Sequence, residues 1–170
     1  MKSTHRSPLA HPLRLQPVAY DHPDSLLLTQ ALRREQVARY GFADDPTATP
    51  SSAFHAPNGL FLIARRGPTA VGCGGIRQIA PGTAEIKRMY VTPDARGTGA
   101  GQTILRELED TAQQWGSERI VLETGVGNQA ALALYTKAGY FRIEPYVTGR
   151  NPQINRALSK QLQDRATLGE

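Results

Sequence analysis

The segment Arg96-Gly97-Thr98-Gly99-Ala100-Gly101 constrains this chain more than any other stretch, because it joins a strand-like run, Glu85 to Val91, to a helical one, Gln102 to Trp115. Three glycines in six residues let the backbone approach a ligand closely. The first turn of the helix that follows leaves its N–H groups without intrahelical partners, so the junction is suited to an anion such as a pyrophosphate. Two common phosphate loops do not match. A P-loop needs Gly-Lys-Ser/Thr at its end, and here Gly101 precedes Gln102 and Thr103. The dinucleotide fingerprint needs G-x-G-x-x-G directly after a strand, whereas here the spacing is G-x-G-x-G and Thr92 to Arg96 intervene.

The rest of the chain alternates element types. Leu13 to Pro17 reads as a short strand, and Asp24 as the cap of a helix from Ser25 to Tyr40, with Leu27, Ala31, Leu32 and Val37 forming its apolar stripe and Gly41 ending it. Phe42 to Asn58 is rich in Pro, Ala, Ser, Thr and Asp. It reads as a loop with one short helix, either a flexible lid or a plain surface connection. Leu60 to Arg65, Ala70 to Ile79 and Ala84 to Val91 form an antiparallel meander through turns at 66–69 and 81–83. In the helix after the glycine loop, Ile104, Leu105, Leu108, Ala112 and Trp115 share one face, and Gly116 stops it. Arg119 to Thr124 reads as a strand, a helix follows from Asn128, and Tyr140 to Pro145 and Ile154 to Leu162 are the last strand candidates, the final one readable also as a helix. A meander followed by crossover units implies an α/β (α+β) sandwich with helices covering a central sheet. Residues 1–12 are expected to be a flexible tail and 13–165 a single domain.

Four segments together resemble the GNAT superfamily of N-acetyltransferases. They are the strand from Ala84 to Pro93, the R-x-x-G-x-G loop, the strand Arg119-Ile120-Val121-Leu122-Glu123-Thr124, and the stretch Asn128 to Phe141. The last is similar to the family signature N-x-x-A-x-x-L-Y-x-x-x-G-F/Y. The resemblance implies a mixed, mostly antiparallel sheet of six to seven strands with helices on both faces, and acetyl-CoA (coenzyme A) as cofactor. It places the pyrophosphate on Arg96, Gly97, Thr98, Gly99, Ala100, Gly101 and Gln102. The pantetheine arm would lie as an added strand beside Met89, Tyr90 and Val91, with an oxyanion held by the N–H of Tyr90 or Val91.

Acetyl transfer to an amine needs a base, because an amine of pKa about 10.4 is almost wholly protonated at neutral pH. By its register on the strand feeding the loop, Glu85 resembles the family's carboxylate base; the alternative is an ion pair with Lys87 or an arginine across the strand. Tyr135 stands at the signature tyrosine, as general acid or sulfur-binding group, or else as a core aromatic. Asn128 would contact the pantetheine arm, or serve only as a helix cap. Tyr40, Arg77 and Glu123 are candidate acceptor contacts. Arg77 and Arg88 suit a carboxylate, whereas Glu85, Glu123 and Asp44-Asp45 suit a cation, so an amino acid and a polyamine, aminoglycoside or lysine all stay open.

The net charge of +5 is spread along the sequence rather than gathered in a basic run interleaved with aromatics. That pattern serves a polyanionic cofactor as well as a nucleic acid. No apolar run approaches a membrane span, no apolar signal segment follows Met1, and one cysteine, Cys73, cannot form an internal disulfide. A cytoplasmic protein is therefore expected, without nucleic acid or membrane as partners, with a homodimer left open. Cys73 reads as a small core residue. His5, His11, His22 and His55 lack ligand spacing, so no metal is expected. Three functions follow: an acetyl-CoA-dependent N-acetyltransferase acting on a primary amine, for preference of a small molecule, by direct attack in a ternary complex; a non-catalytic acyl-CoA sensor; and a basic nucleic-acid-binding protein.

Overall fold

A computed structural model describes residues 10–163. The expected tail therefore lies mostly outside the described residues, as do His5 and residues 164–165 of the expected domain. Within that tail, the carbonyl of His11 accepts from Arg66 at 2.9 Å.

The elements run β1 (Leu13–Pro17), α1 (Pro23–Tyr40), β2 (Gly59–Arg66), β3 (Thr69–Ala80), β4 (Thr83–Val91), α2 (Ala100–Gln114), β5 (Arg119–Gly125), α3 (Gln129–Lys137), β6 (Phe141–Ile143) and β7 (Asn155–Gln161). One seven-stranded sheet carries them in the order β1-β2-β3-β4-β5-β7-β6. Only β4 and β5 are parallel, so the mixed, mostly antiparallel sheet matches the expectation, and the last segment is a strand.

Strand β2 sits inside the sheet, and its run Leu60-Phe61-Leu62-Ile63-Ala64 divides by the two-residue period of a strand. Phe61 and Ile63 join a cluster with Tyr20, Leu28 and Phe54 on one face. Leu62 and Ala64 join the larger cluster with Ile104, Leu105 and Leu108 of α2 on the other. Burying each of these large apolar side chains contributes about 1.5–3 kcal/mol. Helix α2 sits close to the sheet because β3 carries glycines beneath it. A Cβ at Gly74 would lie 2.9 Å from both Ile104 Cγ2 and Met89 Sδ, and 3.1 Å from Leu108 Cδ1.

Helix α1 differs from its expected form in two ways. His22, not Asp24, is its N-cap, with Nδ1 accepting from the Asp24 N–H at 3.1 Å. Asp24 instead occupies the first turn, favourable for an acid at the positive end of the helix. Its buried stripe is Ser25, Leu28 and Thr29, while Leu27 and Val37 face out at 64 % and 41 % exposure. The hydroxyls of Ser25 and Thr29 donate to the carbonyls of Ala19 and Ser25, which removes the penalty of burying them.

The 42–58 connection is anchored and holds two 3₁₀ turns, Pro46–Ala48 and Ser51–Phe54, where one short helix was expected. Phe54 packs on Tyr20 and Phe61, with ring centroids 4.8 and 5.5 Å away, and the Tyr20 hydroxyl donates to the Pro46 carbonyl at 2.7 Å.

Candidate functional site

The site begins where β4 leaves β5. Thr83 to Ile86 pair in parallel with Arg119 to Leu122, and there the pairing stops. From Glu123 onward β5 is held only by β7, while β4 continues to Val91 paired with β3 alone. The backbone groups of Lys87 to Val91 on that side thus face a gap in the sheet. A bulge lies here: the β3–β4 register shifts between Cys73↔Tyr90 and Gly75↔Lys87, and Arg88 takes φ +61°. Cys73, fully buried, closes the bulge from behind, its thiol donating to the Arg88 carbonyl at 3.2 Å. Burial pushes that thiol up to about 12, so it stays protonated and serves packing.

Two cavities flank the gap. The larger, about 590 Å³, runs between α1, the end of β4, the glycine loop and α3. Its wall includes Met89, Tyr90, Val91, Arg96, Gly97, Gly99, Ala100, Gly101, Gln102, Asn128 and Tyr135, which is every expected cofactor residue except Thr98. Thr98 turns back into the loop, its hydroxyl donating to the Ala95 carbonyl at 2.6 Å. Gly99 is the N-cap of α2 at φ +86°, a conformation that side chains other than glycine adopt at a cost. Being glycine, it leaves the first amides of α2 without a capping side chain, open to a ligand.

Arg96, in that wall, is also held by its own neighbours. Its Nη2 holds both Glu35 oxygens at 2.7 and 2.9 Å, its Nε donates to the Val91 carbonyl at 3.0 Å, and its guanidinium lies 5.6 Å from the Tyr90 ring centre. Nothing local in the sequence connects Glu35 of α1 to a residue so far along the chain. Asn128 is the N-cap of α3, its side-chain oxygen accepting from the Ala131 N–H at 3.2 Å, and it lines both cavities as well.

The smaller cavity, about 170 Å³, lies on the other side of the gap. Glu85, 3 % exposed, lines it. Arg77 reaches one Glu85 oxygen at 2.9 and 3.0 Å, and the Tyr146 hydroxyl donates to the other at 2.8 Å. The arginine across the strand is therefore present. It also takes Arg77, an expected acceptor contact, out of the cavity wall: β3–β4 register sets Arg77 opposite Glu85 and the charges meet. Burial, then the adjacent Glu85, pushes the Tyr146 hydroxyl well above its ordinary value.

Glu123 lines the cavity and is held by Arg150, at 3.1 and 3.2 Å, from the connection between β6 and β7. The same guanidinium grips Asp44 at 3.0 and 2.8 Å. Those bonds lower the Asp44 carboxyl below its ordinary 3.8. Tyr40 also lines the cavity, its hydroxyl accepting from the Gly127 N–H at 3.0 Å, while its ring packs on Gly125 where a Cβ would collide. Arg150 and Lys87 had no signal in the sequence as wall residues. Arg150 sits in an irregular connection, and regular alternation assigns Lys87 no particular cavity.

Leu32, Met89, Asn128, Ala131 and Tyr135 line both cavities, so the two meet at the gap. Tyr135 is 5 % exposed and packs edge-on against Tyr140 at 5.6 Å. Burial alone raises its hydroxyl well above 10.0 and keeps it protonated. Chemically, the arrangement offers a channel for a long polyanion, a small charged pocket, and a protonated hydroxyl between them. Among the described residues no His, Cys, Asp and Glu cluster could hold a metal, and no helix is long and apolar enough to cross a membrane.

The comparisons with known proteins bear on the family and the fold. A model described as the acetyltransferase (GNAT) family matches residues 27–140. The "IAA acetyltransferase" of Azospirillum brasilense is 43 % identical over 91 residues, covering 53 % of this chain and 60 % of that protein. A putative acyl-CoA N-acyltransferase from Klebsiella pneumoniae superposes with a TM-score of 0.76 at 28 % identity, over 89 % of this chain and 98 % of that one. YncA from Salmonella typhimurium, solved with its cofactor acetyl-CoA, has a TM-score of 0.68 at 17 % identity, over 91 % of this chain and 96 % of that one, a likeness of fold.

Proposed function

The chain belongs to the acetyltransferase (GNAT) family, whose cofactor is acetyl-CoA, and on that footing we propose that it transfers the acetyl group to a primary amine of a small molecule by direct attack in a ternary complex. The observation that carries this reading is the meeting of the two cavities at Met89, Asn128 and Tyr135. A long donor and a small acceptor entering from opposite sides have one place to meet, and it is where β4 presents unpaired backbone.

In this reading the pantetheine arm pairs with Met89 to Val91 across the gap, and the pyrophosphate sits on the loop amides and the first turn of α2. A backbone N–H of Tyr90 or Val91 stabilises the oxyanion as the amine attacks the thioester carbonyl. Glu85 takes the proton from the amine, directly or through one water, with Arg77 and Tyr146 holding the carboxylate in place. Tyr135, at the meeting of the cavities and with its hydroxyl kept protonated by burial, donates its proton to the departing thiolate. The cavity of about 170 Å³ favours a small acceptor over a folded protein surface.

Thiol release from acetyl-CoA across a panel of amines tests the reading. Turnover with a subset of small amines is expected. Tight coenzyme A binding without thiol release would favour the sensor alternative. Glu85→Gln is expected to shift the pH-rate profile, and an unchanged profile would remove Glu85 as the base.

A further inference from the structure

The smaller cavity has an uneven distribution of charge. Each carboxylate in its wall is already held: Glu85 by Arg77, and both Glu123 and Asp44 by Arg150. Two cations in the same wall are not matched in this way. Lys87 has one carboxylate nearby, the Glu85 oxygen at 3.9 Å that Arg77 already holds. Arg88 forms no ion pair among the described residues. Its Nη2 has a long hydrogen bond to Thr49 Oγ1, 3.4 Å, the guanidinium lies beside the Tyr20 hydroxyl and within reach of the Asp44 and Asp45 charges, and its buried Nε has no partner. A buried donor such as this Nε is unfavourable without a partner, and an incoming acceptor of negative charge relieves it.

The backbone explains why two consecutive residues serve one cavity. On a regular strand Lys87 and Arg88 would point to opposite faces. The left-handed φ of Arg88 at the bulge breaks that alternation, and both residues belong to the cavity wall. Met89, the next residue, lines both cavities at the gap. An anionic group on Lys87 and Arg88 therefore lies a short reach from where the amine would attack. The second ammonium of a polyamine, by contrast, would meet Asp44 and Glu123 already held by Arg150.

We propose that Lys87 and Arg88 form a carboxylate subsite and that the acceptor is a short amine bearing a carboxylate. This rests on the acetyltransferase reading above. Burial of Lys87, which lowers its ammonium below the ordinary value, adds a reason for it to prefer a bound counterion.

The test measures kcat/KM at saturating acetyl-CoA for matched amines that carry a carboxylate or the corresponding carboxamide. The wild type is expected to favour the carboxylate roughly tenfold or more, read mainly in KM. Lys87→Gln and Arg88→Gln should each erode that preference, with the KM for acetyl-CoA unmoved, and Arg88→Lys should retain part of it on the same bulge. Equal or better use of the carboxamides by the wild type would overturn the subsite, as would a preference that survives both glutamine variants. Absence of thiol release with every amine, coenzyme A still binding, would instead overturn the acetyltransferase reading beneath it.

Discussion

The larger cavity takes half of its wall from one stretch, Met89 to Gln102, and the rest from α3 with its approach and from three residues of α1, whereas the smaller collects residues from α1, the 42–44 segment, β4, β5 and the β6–β7 connection. The first offers mainly backbone amides and glycines. The second offers charged side chains, several already paired. On the proposed reading, donor recognition is thus the more local in sequence and acceptor recognition the less. A change in one cavity should leave the other's ligand largely undisturbed, except at the residues they share.

The strongest challenge to this division is Gly99→Glu, which places a side chain at φ +86° and a negative charge at the mouth of the loop. Coenzyme A affinity by calorimetry is expected to fall roughly a hundredfold. An unchanged affinity would mean that the larger cavity is not the cofactor's. Tyr135→Phe comes next and acts on the boundary. It is expected to lower kcat by some tens of fold while coenzyme A affinity stays within about twofold. Because burial keeps this hydroxyl protonated well past 10.0, the acid form persists as pH rises, and the deficit should be similar at about pH 7 and about pH 9.

Arg150→Gln addresses the smaller cavity alone. It frees Asp44 and Glu123 together, and the acceptor KM is expected to rise roughly five- to tenfold with cofactor affinity unchanged. The Asp44 carboxyl is lowered from 3.8, so its contact is at full strength above that value and is lost as the pH falls through the lowered one. The smallest effect is expected of Glu35→Gln. Its bond to Arg96 is partly exposed, at 43 % and 33 % for the two side chains, and such pairs contribute roughly 0–1 kcal/mol. Releasing Arg96 toward the phosphates should alter coenzyme A affinity by no more than about fivefold.

The same division explains what could be read from the sequence. The glycine loop, the strand before it and the Asn128 to Tyr135 signature are each contiguous, so their part of the larger cavity was legible, Thr98 excepted, whereas Leu32, Glu35 and Arg39, brought in from α1, were not. The sheet was legible because β2 to β4 are joined by tight turns. The stripe of α1 was not: Ser25 and Thr29 are buried through bonds to backbone carbonyls, while Leu27 is exposed. In the smaller cavity, the pairing of Arg77 with Glu85 depends on strand register, and the double grip of Arg150 on chain-distant Asp44 and on Glu123 depends on tertiary folding. Lys87 and Arg88 share a wall because of a bulge that no residue pattern announces.

The bare stretch of β3 beneath α2 has a consequence for the donor. With no side chain at Gly72 or Gly74, Ile104 and Leu108 rest almost on the strand itself, and α2 carries at its front end the amides that would meet the pyrophosphate. The clearance between helix and sheet therefore sets the height of those amides above the Met89 to Val91 edge. A methyl group added at Gly74 would act as a shim, lifting one half of the donor's seat relative to the other. Two parts of a single binding surface are kept at their working separation by a residue in the wall of neither.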